Sequence, residues 1–208
     1  MILPGYYNGR RIRPGKDENM CGRFLMNEEA FDMMEQIARI PSWIQPELYF
    51  KTIYPTNPAL TLSLDHGILT ASVHSFGYKS ESMNRLLINA RAETVSEKPM
   101  FRQAFRHSRC LVPASLFYEW DAAKEKISFF KKDQPVLYLA AILKEDSFII
   151  LTTEANSSVS KYHHRMPLVV RQDQIDHWLS DEKKALQILR ETPQNLDHAF
   201  EFEQNSLF

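Results

Sequence analysis

Cys21 directly follows Met20. That pairing suits a chemistry of its own if Met20 starts the chain. Methionine aminopeptidase removes an initiator methionine ahead of a small residue, and the exposed cysteine then carries an α-amine and a thiol on one residue. Such a 1,2-aminothiol condenses with an aldehyde and closes to a five-membered thiazolidine. The amine, with an ordinary pKa of about 8, is available near neutrality. The thiol, at about 8.5, is the better nucleophile once ionised. Residues 1–19 precede Met20, so this reading requires translation from Met20 or removal of the leader. The plain alternative for Cys21 is a small buried hydrophobe.

Three other segments hold groups that chemistry could use. Asn89-Ala90-Arg91-Ala92-Glu93-Thr94 ends an apolar run. Amide, guanidinium and carboxylate alternate there and share one face if the strand continues. An amide can orient an amine or hydroxyl, and Arg91 can grip a phosphate through two bonds. Taken alone, a strand end with solvent-facing polar groups explains the segment as well. Phe117-Tyr118-Glu119-Trp120 sets one carboxylate in an aromatic run. It is either desolvated, which favours its neutral form and suits it to general acid/base work, or a sheet-edge group pointing to water. His163-His164-Arg165-Met166-Pro167 offers two histidines that point opposite ways if extended, with Arg165 on the side of His163. Histidine is also the commonest metal ligand, but no Cys or Asp cluster at metal spacing accompanies this pair. No metal and no cofactor are expected.

Composition frames these groups. The 208 residues suit one domain with ample length for a core. Apolar residues make up 44% and charged residues 25%, ordinary values for a globular protein. The net charge is −1; of 25 basic and 26 acidic residues, four and two fall in residues 1–19, so the remainder carries −3. Any nucleic-acid binding must therefore come from a local basic patch. The two cysteines, Cys21 and Cys110, are far apart and form no disulfide framework, which fits a reducing compartment. There is no secretory h-region and no run long enough to span a membrane. Cytoplasmic or nucleoid placement and a monomer are expected.

The elements that must position these groups follow from pattern. Residues 1–19, rich in Gly, Pro and Arg, read as a flexible or peripheral leader. Asn27 caps a helix with Ala30, Phe31, Met34, Ile37 and Ala38 on one face, closed by Pro41. Leu60–Leu64 and Ile68–Phe76 form a hairpin about Asp65-His66-Gly67. Leu86–Asn89 reads as a buried strand. Ser96 caps a helix through about His107, on which Arg102 and Arg106, with Arg109 after them, make a stripe that is either a solvated face or a phosphate surface. Cys110–Trp120 is strand-like with a break at Pro113. Ile127–Phe130, Val136–Leu143 and Phe148–Thr153 are successive strands. A Ser-rich loop at 156–164 leads to a strand at Leu168–Val170. Gln172–Leu179 and Asp181–Arg190 are helical, and the last fifteen residues are weakly patterned. The sum is an α+β fold: a bent antiparallel β-sheet core, or partial barrel, with peripheral helices.

Met20–Phe24, Asn89–Thr94, Arg109–Pro113 with Tyr118–Trp120, and His163–Pro167 stand in an order that resembles the SOS-response-associated peptidase (SRAP) family. The resemblance runs from Met20 to about Leu179, and the combination is specific although each piece alone is weak. It implies a bent antiparallel core and covalent capture of abasic sites in single-stranded DNA, the N-terminal cysteine forming a thiazolidine with the ring-opened sugar. By that resemblance Cys21 is the nucleophile, Asn89 orients amine and sugar, Glu119 is the acid/base group and His163 the active histidine. Arg23, Arg91 and Arg165 match positions that hold DNA phosphates. The chain departs from the family where a Trp-Gly-Leu element is usual: here Ser75-Phe76-Gly77-Tyr78-Lys79 stands, with no tryptophan between Trp43 and Trp120. Only Pro55-Thr56 survives of an early Asn-x-x-Pro element. The expected organisation is a leader at 1–19 and a single domain at 20–208. Two other readings stand beside it: a thiol autopeptidase using Cys21 and His163, and a non-catalytic single-stranded DNA-binding module.

Overall fold

The structure, a computed structural model, describes residues 6–7, 10–11, 22–80 and 83–201. Strands β1 (Tyr6–Tyr7) and β2 (Arg10–Arg11) pair with each other; the rest of residues 1–21, Cys21 included, lies outside the described residues. Next come β3 (Arg23–Leu25), α1 (Glu28–Glu35), a 3₁₀ turn at Pro46–Tyr49, β4 (Thr52–Ile53), β5 (Pro58–Asp65), β6 (Ile68–Phe76), β7 (Tyr78–Ser80), β8 (Arg85–Leu87) and β9 (Asn89–Arg91). These are followed by α2 (Ala92–Val95), α3 (Pro99–His107), β10 (Arg109–Ala114), β11 (Leu116–Trp120), β12 (Lys126–Phe130), β13 (Leu137–Lys144) and β14 (Ser147–Glu154). The chain closes with β15 (Arg165–Pro167), β16 (Val169–Val170), a 3₁₀ turn at Gln172–Gln174, α4 (Ile175–Ser180), α5 (Glu182–Ile188) and β17 (Asp197–Glu201).

Two sheets and a helical layer are stacked. The eight-stranded sheet runs β15-β14-β6-β5-β10-β13-β16, with β9 added on β14, and pairing of β13 with β14 turns this path into a partial ring. The five-stranded sheet runs β17-β12-β11-β3-β4, all antiparallel. Successive residues of a strand face opposite ways, and both directions are buried in the larger sheet. Cys110, Val112, Leu139, Ala141, Phe148 and Ile150 face the smaller sheet's Phe24, Phe117, Ile127 and Phe129. Leu111, Ala140, Ile142, Ile149 and Leu151 instead face residues of α1, α3, α4 and α5. A strand buried on both faces reads as a continuous apolar run, which is why β13 and β14 are so plain in the sequence. The expected antiparallel α+β core is present, with two parallel pairings added, β14 with β6 and β14 with β9.

Local chemistry fixes most boundaries. Asn27 is extended (φ −117°, ψ 173°) and its Oδ1 accepts from Ala30 N at 3.0 Å, capping α1. The helix stops at Glu35, short of Pro41, because the backbone of Arg39 is taken by β6: Arg39 N donates to Leu69 O and Ala71 N to Arg39 O. His66 (φ 50°) and Gly67 (φ 81°) form the two-residue turn of the β5–β6 hairpin, both in the left-handed region that such turns demand.

Several boundaries differ from expectation. Ser96 ends α2 and does not start a long helix; α3 begins at Pro99, whose missing N–H suits a first turn and whose ring holds Lys98 extended (ψ 124°). Pro113 lies inside β10, and the break falls at Ser115, whose N–H donates to Leu25 O while its hydroxyl donates to Asn27 Oδ1. The run at Leu86–Asn89 is two short strands parted at Ile88, and the strand expected at Leu168–Val170 is shortened to Val169–Val170, with Leu168 parting it from a further strand at Arg165–Pro167. Arg109 does not join a phosphate stripe: it is buried, and its guanidinium donates to the carbonyls of Phe105, Arg106, Trp178 and Leu179. The weakly patterned C-terminal segment contributes β17, which completes the five-stranded sheet.

Candidate active site

Glu119 lies on β11 and is 1% exposed, which removes the alternative of a sheet-edge carboxylate in water. Its strand pairs with β3 through Tyr118↔Arg23 and Phe117↔Phe24. One step further along that register stands Gly22, the residue bonded to Cys21. A Cβ on Gly22 would lie 3.8 Å from Ile88 Cδ1. Gly22 therefore sits between the Glu119 end of β11 and the segment that leads into Asn89.

Asn89 begins β9, in parallel register with Ile150 of β14, and Arg91 is opposite Thr152. The strand ends at Arg91 and α2 starts at Ala92, so the expected alternation of Asn89, Arg91 and Glu93 on one face does not hold. Arg91 is exposed. Glu93, in the first turn of α2, instead faces Arg165 across the end of β14. Arg165 Nη1 and Nη2 donate to the two Glu93 oxygens at 2.5 and 2.9 Å, and Nη2 also donates to Thr152 O at 2.6 Å. Arg165 is 7% exposed. A phosphate reaching it would have to compete with Glu93. Burial raises the Glu93 carboxyl, but the Arg165 hydrogen bonds and charge, helped by Arg91, hold it below its ordinary value.

His163 is half-buried where the loop after β14 returns to β15. Its Nδ1 is 2.9 Å from Arg165 O and 3.2 Å from Arg165 N. The two contacts require opposite roles of one nitrogen. The shorter, to an oxygen that only accepts, assigns the proton to Nδ1 and leaves Nε2 as the acceptor of the neutral ring. Burial lowers the His163 pKa; the bond to Arg165 O opposes this, and the charges of His164 and Arg165 add to the lowering. The residues 163–164 form a bend, not a strand, so the two imidazoles do not point apart: their centroids lie 4.6 Å from each other. The loop is anchored by buried Asn156. Its Nδ2 donates to Pro193 O and Gln194 O, while Oδ1 accepts from Ser158 N, Val159 N and Ser158 Oγ.

Arg23 projects from the outer face of β3, stacked between Tyr54 and Trp120 at 4.9 and 4.6 Å from their centroids. Tyr54 and Glu93 are the members of this region that sequence reasoning missed as such. Glu93 was visible as the carboxylate of its motif; Tyr54 carried no pattern. Cys110 is fully buried between the sheets, its thiol is pushed up by desolvation, and its backbone carbonyl accepts from Trp178 Nε1 across the other face. That leaves Cys21, outside the described residues, as the cysteine open to chemistry in the expected scheme. Among the described residues no cluster of three or more His, Cys, Asp or Glu could hold a metal, and no helix is long and apolar enough to cross a membrane. A cavity of about 220 Å³ lined by Lys131, Gln134, Tyr138, Arg171 and Gln194 includes none of the candidate residues.

The model of the SOS response associated peptidase (SRAP) family matches residues 20–204, and the chain belongs to that family. Among its relatives, abasic site processing protein YoaM of Bacillus subtilis (strain 168) is 33% identical over 186 residues, covering 80% of this chain and 82% of that protein. Abasic site processing protein YedK of Escherichia coli (strain K12) is 26% identical over 179 residues, 78% and 81% of the two chains. Crystal structures of proteins from Bacteroides thetaiotaomicron and Bordetella bronchiseptica share the fold. Their TM-scores are 0.70 and 0.72 at 24% and 18% identity, each over 88% of this chain and over 93% and 100% of theirs.

Proposed function

We propose that the protein captures abasic sites in single-stranded DNA through a thiazolidine formed by Cys21 as N-terminal residue, after loss of residues 1–20, and so shields the lesion during the DNA damage response. The observation that carries this reading is the burial of Glu119, opposite Gly22 when the β11–β3 register is extended by one step. A desolvated carboxyl beside the segment bearing Cys21 is what proton transfer to a sugar hemiacetal needs. The names of the relatives support the substrate.

In this scheme Glu119 moves a proton between the ring oxygen and the anomeric hydroxyl, opening the hemiacetal. The Cys21 amine adds to the aldehyde and water leaves, giving an imine. The thiol then adds across the imine, its sulfur to carbon and its proton to nitrogen. Holding amine, thiol and aldehyde together contributes up to about 7–11 kcal/mol relative to a bimolecular condensation. Asn89 orients the amine, and His163, neutral with Nε2 free to accept, moves a proton at the opened sugar. Half-buried Arg23 and exposed Arg91 are the partners for phosphate. The abasic nucleotide has no base to unstack, so presenting it costs less than flipping an intact one.

Intact mass of untagged protein after incubation with a single-stranded oligonucleotide bearing one abasic site tests the reading. The expected product is a chain beginning at Cys21 plus the DNA less one water, stable without reductant. Glu119→Gln is expected to slow its formation by about 10²-fold or more while leaving affinity for an aldehyde-free abasic analogue within twofold or so. Unchanged kinetics would remove Glu119 from the mechanism. Release of a peptide without an adduct would favour the thiol autopeptidase.

A further inference from the structure

β17 carries a group of rings that the scheme above does not use. Paired residues of adjacent strands share a face, and Glu119↔Ile127 followed by Ile127↔Phe200 makes one row across β11, β12 and β17. Two strand spacings put Phe200 about 10 Å from Glu119 along this row. Glu119 and Ile127 are buried, whereas Phe200, at the sheet margin, is 43% exposed. His198, two residues earlier and on the same face, lies 6.1 Å from the Phe200 ring at 82°. Tyr162, the neighbour of His163, completes the group. Its ring stands 5.7 Å from Phe200 at 86° and 5.0 Å from His198, and its hydroxyl bonds His198 Nε2 at 2.8 Å. The exposed Lys161 precedes it.

We infer that Tyr162, His198 and Phe200 form a stacking platform for the base that flanks the abasic nucleotide on one side. The inference rests on the reading of single-stranded DNA as the ligand. An exposed ring in the same row as the buried carboxyl, braced by two other rings, presents an apolar face at the distance of a neighbouring base. The Tyr162–His198 bond fixes that brace to the loop that carries His163. Every base has a π-face, so such a platform adds affinity without choosing sequence. It also supplies aromatic surface in a chain that lacks the tryptophan expected ahead of Asn89.

Binding of fluorescent single-stranded oligonucleotides tests this. Each carries a tetrahydrofuran abasic analogue, which has no aldehyde, and in two of them a second tetrahydrofuran replaces the 5′ or the 3′ flanking base. Wild-type protein is expected to lose about tenfold in affinity when one particular flanking base is missing, the scale of a base–aromatic stack, and little for the other. Phe200→Ala should bind the fully based DNA as weakly as wild type binds the base-less flank, and should no longer sense that base. Phe200→Trp should retain the preference. If Phe200→Ala keeps the full flank dependence, or if wild type senses neither flank, the platform is overturned. Failure of the covalent reading appears separately, as no adduct on a natural abasic site while flank dependence persists.

Discussion

Arg165 is a charge in a nearly closed site, and its surroundings say what it is for. Burying a guanidinium is costly unless it is paired. Glu93 takes two and the Thr152 carbonyl shares one. Through its backbone the same residue positions His163, so the Glu93–Arg165 pair ties β9, β14 and the histidine loop together. The pair should mark the acid limb of stability. Glu93 titrates below its ordinary value of 4.5 in the folded protein. Its contribution is therefore present above that value and lost as pH falls through the folded one. Glu93→Gln is expected to flatten this limb and to cost about 1 kcal/mol near neutrality, because Arg165 keeps its carbonyl partner and the Glu93 side is half open to water. Urea midpoints measured against pH for both proteins check this; parallel curves would show that the pair contributes nothing. His163, also lowered, adds stability that is present above about 6.5 and fades as pH falls. Two acid steps, not one, are expected in wild type.

At the scale of elements, the site is assembled around Ile88, the residue between β8 and β9. Gly22 meets it on one side and Gly77 on the other. Gly77 has φ 97°, and a Cβ there would fall 2.8 Å from Ile88 Cγ2 and 3.1 Å from Leu86 Cγ. Gly77→Ala is expected to destabilise by about 1–3 kcal/mol, combining left-handed strain with displacement of Ile88. Gly67→Ala, at φ 81° with open space around it, should cost about 1 kcal/mol or less from the backbone alone. Chemical denaturation of the two variants separates strain from contact, and equal losses would mean that Ile88 simply moves aside. Much of this arrangement was legible. The apolar runs of β13 and β14, the Asp65-His66-Gly67 hairpin and the Asn27 cap each follow from a local rule. What was not legible depended on partners far along the chain. Arg39 ends α1 early because β6 takes its backbone, and β17 shows no alternation because all five of its residues lie at least partly open at a sheet margin, and its pairing comes from β12. Among the candidate residues, Asn89 and Glu119 stood out as polar groups at or within apolar or aromatic runs, and His163 by the His-x-Arg segment it opens. The aromatic residues around them did not, since nothing in sequence distinguishes Tyr54 or Phe200 from core rings.

The layering of the whole molecule decides which arginines can serve DNA. The helices α1, α3, α4 and α5 cover one face of the large sheet, and the small sheet covers the other. Arg102 on α3 therefore lies on the side away from β3, and Arg106 is paired with Glu182 at 3.3 Å. Arg23 alternates with Phe24, which faces the core between the sheets, so it points outward beside Tyr54 and Trp120. With a net charge of −1, or −3 without residues 1–19, the molecule as a whole repels a polyanion and must bind it through this local end. Each phosphate contact on a single strand contributes a slope of about −0.7 in log affinity against log salt. Arg23→Ala is expected to make that slope shallower by about 0.7 and to weaken binding several-fold more, through loss of its stacking with the two rings. Arg102→Ala should change neither, although its sequence context looked as favourable for phosphate. Anisotropy titrations of a single-stranded oligonucleotide at four or five salt concentrations distinguish them. An altered slope in Arg102→Ala with none in Arg23→Ala would move the DNA to the helical side of the molecule, where none of Glu119, Asn89 or His163 could reach it.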